Sequence, residues 1–261
     1  MQALKIAATG MSAQQLRVDV TSNNIANMST QAYDPRRAEF ADLHYQRLRM
    51  PGTITAATGE ELPAGVQVGL GVRAAVVSVE ASQGALRSTG GELDLAIEGQ
   101  GYLEVTLPSG EAAYTRDGAL KLSAEGEIVT AMGFSLATPI TVPEDARAIE
   151  ISSDGLVFAR FQDAIDPQQI GSIELTRFVN AKGLEALGDS LFRVTSASGD
   201  AVSGTPGEEG RGTLRQGYLE DSSVDVVSEI TELIEAQRGY ELNARVMAAA
   251  DEMLASMTRI R

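Results

Sequence analysis

The 261 residues, 43% of them hydrophobic, suffice for one large domain or two ordinary ones with a buried core. A formal charge of -15, with no basic run longer than Arg36-Arg37, argues against nucleic-acid binding, which needs clustered Lys and Arg to neutralise phosphates, and disfavours a membrane surface. The absence of cysteine removes disulfides, thiolate catalysis and Cys-ligated metal, and no run of about 18 apolar residues is present to span a bilayer.

Helix breakers are distributed unevenly. All eight prolines fall between Pro35 and Pro206, and 24 of the 26 glycines fall between Gly52 and Gly217. The first ~25 residues carry apolar side chains at helical spacing, with Leu4, Met11, Val18 and Ile25 recurring every seven positions and Ala7, Ala8 and Gln14 on the same face. Met1 to Met11 lacks the continuous apolar core and small-residue cleavage site of an ordinary signal peptide. Asn23, Asn24 and Asn27 suit a helix end, and Pro35 after Tyr33-Asp34 closes the region.

The middle reads as β structure. Val66, Val68, Leu70 and Val72 alternate, as do Leu93, Leu95 and Ile97, and then Leu103, Val105 and Leu107 before the turn Pro108-Ser109-Gly110. Further turns are expected at Asp117-Gly118, Glu125-Gly126, Asp154-Gly155 and Ser198-Gly199, a spacing that suits a sandwich or barrel of short strands. The stretch from Arg49 to Gly65 reads as an exposed loop or long hairpin arm, and Gly204 to Gly212 as a flexible connector back to the last helix.

That last helix starts after Asp221-Ser222-Ser223-Val224-Asp225, where the serines can cap it and the carboxylates suit its positive end. Val226, Leu233, Tyr240, Met247 and Leu254 repeat every seven residues, with Ile230 and Ala244 completing the stripe. Leu242, Val246, Met253, Met257 and Ile260 form a second apolar stripe. A helix of about 35 residues runs roughly 50 Å. With two apolar faces it needs more than one partner, and self-assembly follows as an expectation.

Catalytic constellations are poorly supported. His44 is the sole histidine, and no Gly-x-Ser-x-Gly elbow accompanies it. Gly69-Leu70-Gly71-Val72-Arg73-Ala74 fits a relaxed dinucleotide pattern but continues into β-branched residues where a helix is required, so it reads as a bend between strands. Carboxylate pairs such as Glu92 with Asp94 or Glu208 with Glu209 are expected by chance among 36 acidic residues. No metal motif, phosphate loop or aromatic carbohydrate platform is found, so neither an enzyme activity nor a cofactor is expected. A secreted β-domain hydrolase or carbohydrate-binding module is the competing class.

Several segments together resemble the axial (rod and hook) proteins of the bacterial flagellum. They are Thr21-Ser22-Asn23-Asn24-Ile25-Ala26-Asn27-Met28-Ser29-Thr30 with Tyr33, Gly99-Gln100-Gly101-Tyr102, and Tyr114-Thr115-Arg116-Asp117-Gly118. Gly217-Tyr218-Leu219-Glu220, Val224-Asp225 and Ala236-Gln237-Arg238-Gly239-Tyr240-Glu241-Leu242-Asn243 extend the likeness to the other end. Within the family, the length and the 49–73 region are most similar to the distal-rod branch, with a proximal rod or hook-type subunit as the alternative. Ala32 stands where the family usually has glycine, which argues against a positive backbone dihedral there, and Ser223 where asparagine is common.

The resemblance implies an α+β fold, with long N- and C-terminal helices pairing as a coiled coil around a mainly-β middle that carries an extended β-hairpin arm. The expected domains are 1–33 plus 221–261 (helical assembly), 34–88 plus 204–220 (connecting segment and arm) and 89–203 (outer β domain). It also implies export through the flagellar type III apparatus without a cleaved signal peptide, and self-assembly into a hollow, rigid tube crossing the periplasm. Proximal rod proteins, the hook protein and the basal-body rings are its implied partners. The assembly residues expected are Leu4, Met11, Val18, Asn23, Asn24, Ile25, Asn27, Leu233, Gln237, Arg238, Tyr240, Met247 and Leu254, with Arg49, Pro51, Pro63 and Gly65 in a rod-stiffening stretch.

Overall fold

The computed structural model describes residues 2–49, 65–162 and 166–259. The chain folds into two compact units, each built from pieces distant in sequence: residues 1–26, 36–79 and 225–261 form the first, and 27–35 with 80–224 the second.

In the first unit, helix α1 (Gln2–Ala26) packs antiparallel on helix α2 (Val226–Arg259), as expected from the breaker-free ends. Its strands are β1 (Arg36–Asp42), β2 (Tyr45–Arg49), β3 (Val66–Gly69) and β4 (Val72–Val79). The β1–β4 ladder is antiparallel, with a bulge at Glu39/Phe40. The β2–β3 ladder pairs Tyr45 with Gly69 and Arg49 with Val66. The alternation through Val66 to Val72 is therefore not one strand, because Gly71 at φ +117° breaks it.

Helix α2 is capped by Asp225, and the expected serine cap is corrected. The Val227 amide and the Ser228 hydroxyl donate to the Asp225 carboxylate at 3.0 and 2.8 Å. These bonds, led by that from Ser228, hold the carboxyl below its usual range. Ser222 and Ser223 instead direct their hydroxyls at the Tyr33 carbonyl in the second unit.

The helix contact is set by the two glycines that lie outside the glycine-rich middle. A methyl on Gly10 would stand 2.7 Å from Asn243 Oδ1, and one on Gly239 would stand 3.0 Å from Gln14 Cδ. Each helix thus offers a notch, and the other fills it with an amide side chain one turn away. Asn243 is pinned in place by donating to the Gly239 carbonyl at 2.8 Å. Ala7, Ala13 and Thr21 of α1 and Ala236 and Ala250 of α2 are the buried positions around this seam. Small side chains keep the two backbones close, which makes the register sensitive to every added carbon.

The second unit is the mainly-β part. It runs through β5 (Leu86–Ser88), β6 (Leu95–Glu98), β7 (Tyr102–Thr106), β8 (Ala112–Thr115), β9 (Leu120–Leu122), β10 (Ile128–Thr130) and β11 (Ser135–Leu136). It continues with β12 (Ala146–Ile151), β13 (Leu156–Phe161), β14 (Gln168–Ser172), β15 (Leu175–Arg177), β16 (Glu185–Gly188), β17 (Leu191–Arg193), β18 (Val202–Gly204), β19 (Thr213–Gln216) and β20 (Tyr218–Glu220). The largest sheet has the order β16-β17-β8-β7-β11-β10-β9, with β15 also paired to β7 and carrying β18. The remaining ladders are β12-β13-β14, β19-β6 and β20-β5.

Leu95, Ile97, Leu103, Val105, Ile128 and Leu175 centre the core. Leu95, Ala96 and Ile97 are all buried, so β6 is covered on both faces where simple alternation predicted one. Turns form with positive φ at Gly110, Gly126, Gly155 and Gly199, as their dipeptides predicted.

Two expectations fail here. Gly204 to Gly212 is no flexible connector: Arg211 is buried there and donates to the Ser203 and Glu208 carbonyls at 3.2 and 3.4 Å. Residues 80–88 and 204–220 accordingly belong with the β unit through β19–β6 and β20–β5, and 36–79 belongs with the helices. Ala32 does adopt a positive dihedral, φ +51°, held by its amide donating to the Glu220 carbonyl at 2.9 Å. The tertiary hydrogen bond overrides an alanine's preference, at a strain of about 1–2 kcal/mol.

Gly10→Ala is expected to lower the stability of the helical unit by about 1 kcal/mol, despite improving helix propensity by a similar amount, because Asn243 must leave its bond. Gly71→Ala should cost more, about 2–4 kcal/mol, since the added carbon would overlap Thr9 Oγ1 at a positive φ. Urea unfolding followed by far-UV circular dichroism measures both, and unchanged midpoints would contradict the notch.

Candidate assembly site

Helix α1 is tied to the strands of its own unit by two polar clamps. The Asn24 carboxamide, 1% exposed, donates to the Arg36 carbonyl at 2.8 Å and accepts the Arg36 amide at 2.9 Å. It therefore behaves like a strand residue at the edge of β1. Thr9 Oγ1 donates to the Ile6 carbonyl at 2.7 Å and accepts the Val72 amide at 3.3 Å, which anchors the start of β4. Asn24 was expected among residues reaching neighbouring subunits, but burial directs its side chain inward. Asn23 on the same helix end is exposed, and Asn27, in the second unit, is half-buried with its side-chain oxygen accepting from Thr30.

The expected seam on α1, Leu4, Met11, Val18 and Ile25, is half-buried, and the closest packing lies one step around the helix at Ala7, Ala13 and Thr21. Ala8, placed on the seam by spacing, is exposed. On α2, Leu233, Met247 and Leu254 are half-buried, whereas Tyr240 is 44% exposed and Gln237 and Arg238 are exposed. The seven-residue stripe thus splits, because Ala236 and Gly239 take the inner positions where Tyr240 would be too large.

What α2 leaves uncovered is extensive. Val227, Ile230 and Ile234 lie exposed in its first half, and Leu242, Val246 and Met253 in its second, the last three being 61%, 52% and 61% exposed. Leu242, Val246 and Met253 belong to the second stripe read from the sequence; Ile260 of that stripe lies outside the described residues. A single α1 cannot cover both flanks of a helix this long. Of the stretch expected to stiffen an assembly, Arg49 pairs with Val66 at the end of β2, Gly65 is half-buried, and Pro51 and Pro63 lie outside the described residues.

In the β unit, the motifs noted in sequence converge on one buried ion pair. Arg116 donates to Glu220 through Nη2 at 2.8 Å and Nε at 3.1 Å, with side-chain exposures of 10% and 4%. Its Nη1 also donates to the carbonyls of Gly99 and Gly101 at 3.1 Å each. The other Glu220 oxygen accepts the Gly84 amide at 2.9 Å. The Gly-Gln-Gly-Tyr, Thr-Arg-Asp-Gly and Gly-Tyr-Leu-Glu segments are thus three walls of one cluster. Spacing in sequence did not reveal this, since residues 99, 116 and 220 are far apart; the presence of an Arg and a Glu within otherwise Gly-rich motifs was the available signal.

Asp34 and Tyr102 border the same cluster and a cavity of about 350 Å³ that Gln83, Arg177 and Phe178 also line. Burial pushes the Asp34 carboxyl up to about 6, with Arg116 opposing and Glu220 adding to the shift. Burial likewise pushes the Tyr102 hydroxyl up to about 12. Tyr102 and Tyr114 both pack edge-on against Phe178, with ring centroids 5.7 and 4.8 Å away. His44 lies exposed between β1 and β2, and Glu92 and Asp94 form no catalytic pair: Asp94 accepts from the Thr89 hydroxyl at 2.5 Å. Among the described residues, no group of His, Asp and Glu is arranged to hold a metal ion.

A paired-helix unit with uncovered apolar flanks and a separate β unit held by a structural ion pair define an assembly protein. Family profiles agree: residues 4–33 match "Flagella basal body rod protein", 96–159 "Flagellar hook protein FlgE/F/G D1 domain", and 215–260 "Flagellar basal body rod FlgEFG protein C-terminal". The chain is 49% identical to a flagellar basal-body rod protein FlgG of Caulobacter vibrioides, over 100% of both chains. It is 45% identical to that of Agrobacterium fabrum, over 99% of both, and 34% identical to that of Bacillus subtilis, over 100% of this chain and 99% of the relative. The chain belongs to the flagellar rod and hook family, on its distal-rod side. That family is structural, so the chain is not an enzyme.

The Asp34 shift sets a pH dependence. Its folded value lies above the unfolded one of 3.8, so the carboxyl opposes folding at pH 7 and the β unit gains stability as pH falls through about 6 towards 4. Asp34→Asn should stabilise the unit at pH 7 by about 1–2 kcal/mol, less than the full shift implies because the group is partly solvated, and should be neutral near pH 4. The difference between variant and parent unfolding midpoints across this range tests the sign.

Proposed function

We propose that this chain is a structural subunit that polymerises into the rigid hollow distal rod of the flagellar basal body and transmits torque from motor to hook. The observation that carries the reading is full-length similarity to basal-body rod proteins, combined with a 34-residue helix whose apolar side chains are exposed along both flanks. In this reading α1 and α2 pair as a coiled coil, and neighbouring copies cover Val227, Ile230 and Ile234 on one flank, Leu242, Val246 and Met253 on the other, and the exposed Tyr240 beside the seam.

Leu4, Met11, Val18, Ile25, Leu233, Met247 and Leu254 then act indirectly, by setting the helix pair that presents those flanks. Asn23, Asn27, Gln237 and Arg238 contribute polar contacts at the subunit boundary. The stretch from Arg49 to Gly65, which joins β2 to β3 in sequence, is the arm that stiffens the tube against bending. The partners are further copies, proximal rod proteins, the hook protein and the surrounding rings. The chain reaches the periplasm through the flagellar type III apparatus.

Tyr240→Asp and Leu242→Asp are expected to abolish polymerisation while leaving the unfolding transition of the β unit in place. Sedimentation and electron microscopy of concentrated protein provide the readout. Normal tubes from both variants would remove α2 from the interface, and a parent protein that forms no tubes under any condition would count against the assembly reading itself.

A further inference from the structure

The two uncovered flanks of α2 are each confined to one half of the helix. On the first, Val227, Ile230 and Ile234 are exposed, and the same face continues through the exposed Glu241 and Arg245. On the second, the exposed Ser228, Thr231 and Glu235 come first, and Leu242, Val246 and Met253 follow. At 3.6 residues per turn the two faces lie roughly 110° apart around the axis, and their apolar halves are centred roughly 25 Å apart along it. The first face points away from α1, opposite the side on which Ala236 and Ala250 are buried and Gly239 and Asn243 meet that helix.

Each face is therefore apolar over one half and polar over the other. A second α2 lying alongside in full register would set an apolar half of one face against the polar half of the other, and would bury charge to cover it. A helix displaced by half a length would not. Within the helical unit, α1 exposes no large apolar side chain among the described residues, so a neighbour's α1 offers no matching surface. The strands spread their exposed apolar residues over both faces of a two-stranded ribbon, as the adjacent Val76 and Val77 of β4 show. The surface of this unit that matches a three-residue apolar stripe on α2 is the other stripe of α2.

We infer that the Val227, Ile230 and Ile234 stripe of one copy packs against the Leu242, Val246 and Met253 stripe on α2 of a second copy, with the two helices parallel and staggered by roughly 25 Å. This deepens the assembly reading and rests on it. The helices are parallel because a tube built by one repeated operation leaves every α2 pointing the same way. A stripe that meets a different stripe lets the assembly continue, whereas a stripe that met its own copy would close a two-fold dimer. The stagger sets the first half of one α2 beside the second half of the next, with Val227 opposite Leu242 and Ile230 opposite Val246. Both apolar halves are then covered, while Glu235 of one copy and Glu241 and Arg245 of the other lie on faces turned away. The side chains suit each other: the β-branched Val227, Ile230 and Ile234 are stiff, and Leu242 and Met253 can adapt around them.

The chain contains no cysteine, so disulfide cross-linking of introduced pairs reports this contact directly. Tubes grown from a mixture of Ile230→Cys and Val246→Cys full-length chains, checked by electron microscopy and then mildly oxidised, are expected to yield a linked dimer joining the two variants, because the bond requires Cα atoms within about 7 Å. Neither variant alone cross-links, and a chain carrying both changes gives a ladder of linked multimers. Val227→Cys with Leu242→Cys repeats the test at the same stagger with different substitutions. Tubes in which neither pair links, or in which either variant links to itself, would overturn the pairing and leave the assembly reading standing. A parent chain that forms no tubes would strike the assembly reading, and the pairing with it.

Discussion

The close approach of two helix backbones at Gly10 and Gly239 is the contact on which the helical unit depends. Each glycine admits an amide side chain from the opposite helix, Asn243 and Gln14, so the register is fixed at two points one turn apart. Gln14 Oε1 is buried there without a hydrogen-bond partner among the described residues, a cost that an isolated helix would avoid by turning the group to water. The seam gains its specificity from shape rather than from burying large side chains. That choice has a consequence for the rest of α2: because the inner face is small, large apolar residues such as Leu242, Val246 and Met253 are displaced outward, where this chain leaves them exposed.

The β unit solves a different problem. Its strands are short and its ladders several, so a local tie is needed where remote segments meet. Arg116 supplies it by bonding Glu220 and two carbonyls of the Gly99–Gly101 turn, while Glu220 holds Gly84 and its backbone carbonyl holds Ala32. A buried ion pair adds little net stability compared with apolar packing, but losing one partner strands a charge, with a cost of about 3–5 kcal/mol. Such a device favours one arrangement of segments over its competitors. Asp34 sits at its border, its burial only partly offset by the charge of Arg116 and a backbone hydrogen bond at Ser82.

Much of this was legible from residue order. The absence of proline and the scarcity of glycine gave both helices, turn dipeptides gave the β unit's corners, and the second stripe gave the uncovered flank at Leu242, Val246 and Met253. What misled was strict periodicity. Tyr240 fits a seven-residue stripe yet lies outside, because an α-helix of 3.6 residues per turn drifts relative to that repeat and Ala236 and Gly239 occupy the contact. Asn24 was legible as a helix-ending residue but not as a mimic of a strand backbone, since its partner Arg36 becomes a neighbour only after the chain turns. Ala32 and Arg211 were misjudged for the same reason: a local preference for negative φ, and a local richness in glycine, were overruled by hydrogen bonds to distant segments.

The two glycines that interrupt otherwise glycine-free ends were the strongest unused signal. Glycine inside a long helix costs about 1 kcal/mol relative to alanine, so its presence at one site per helix asks for a packing reason. The same logic extends to charge. A chain with 15 more acidic than basic groups could spread them evenly, but the surplus is held on the β unit while the helical unit is balanced. Even distribution would make every lateral contact between copies work against like-charge repulsion, which the Debye length of about 8–10 Å confines to near neighbours. Segregation leaves the β unit's surface to keep free chains apart and soluble, and lets the helical unit combine uncovered apolar flanks with locally opposite charges.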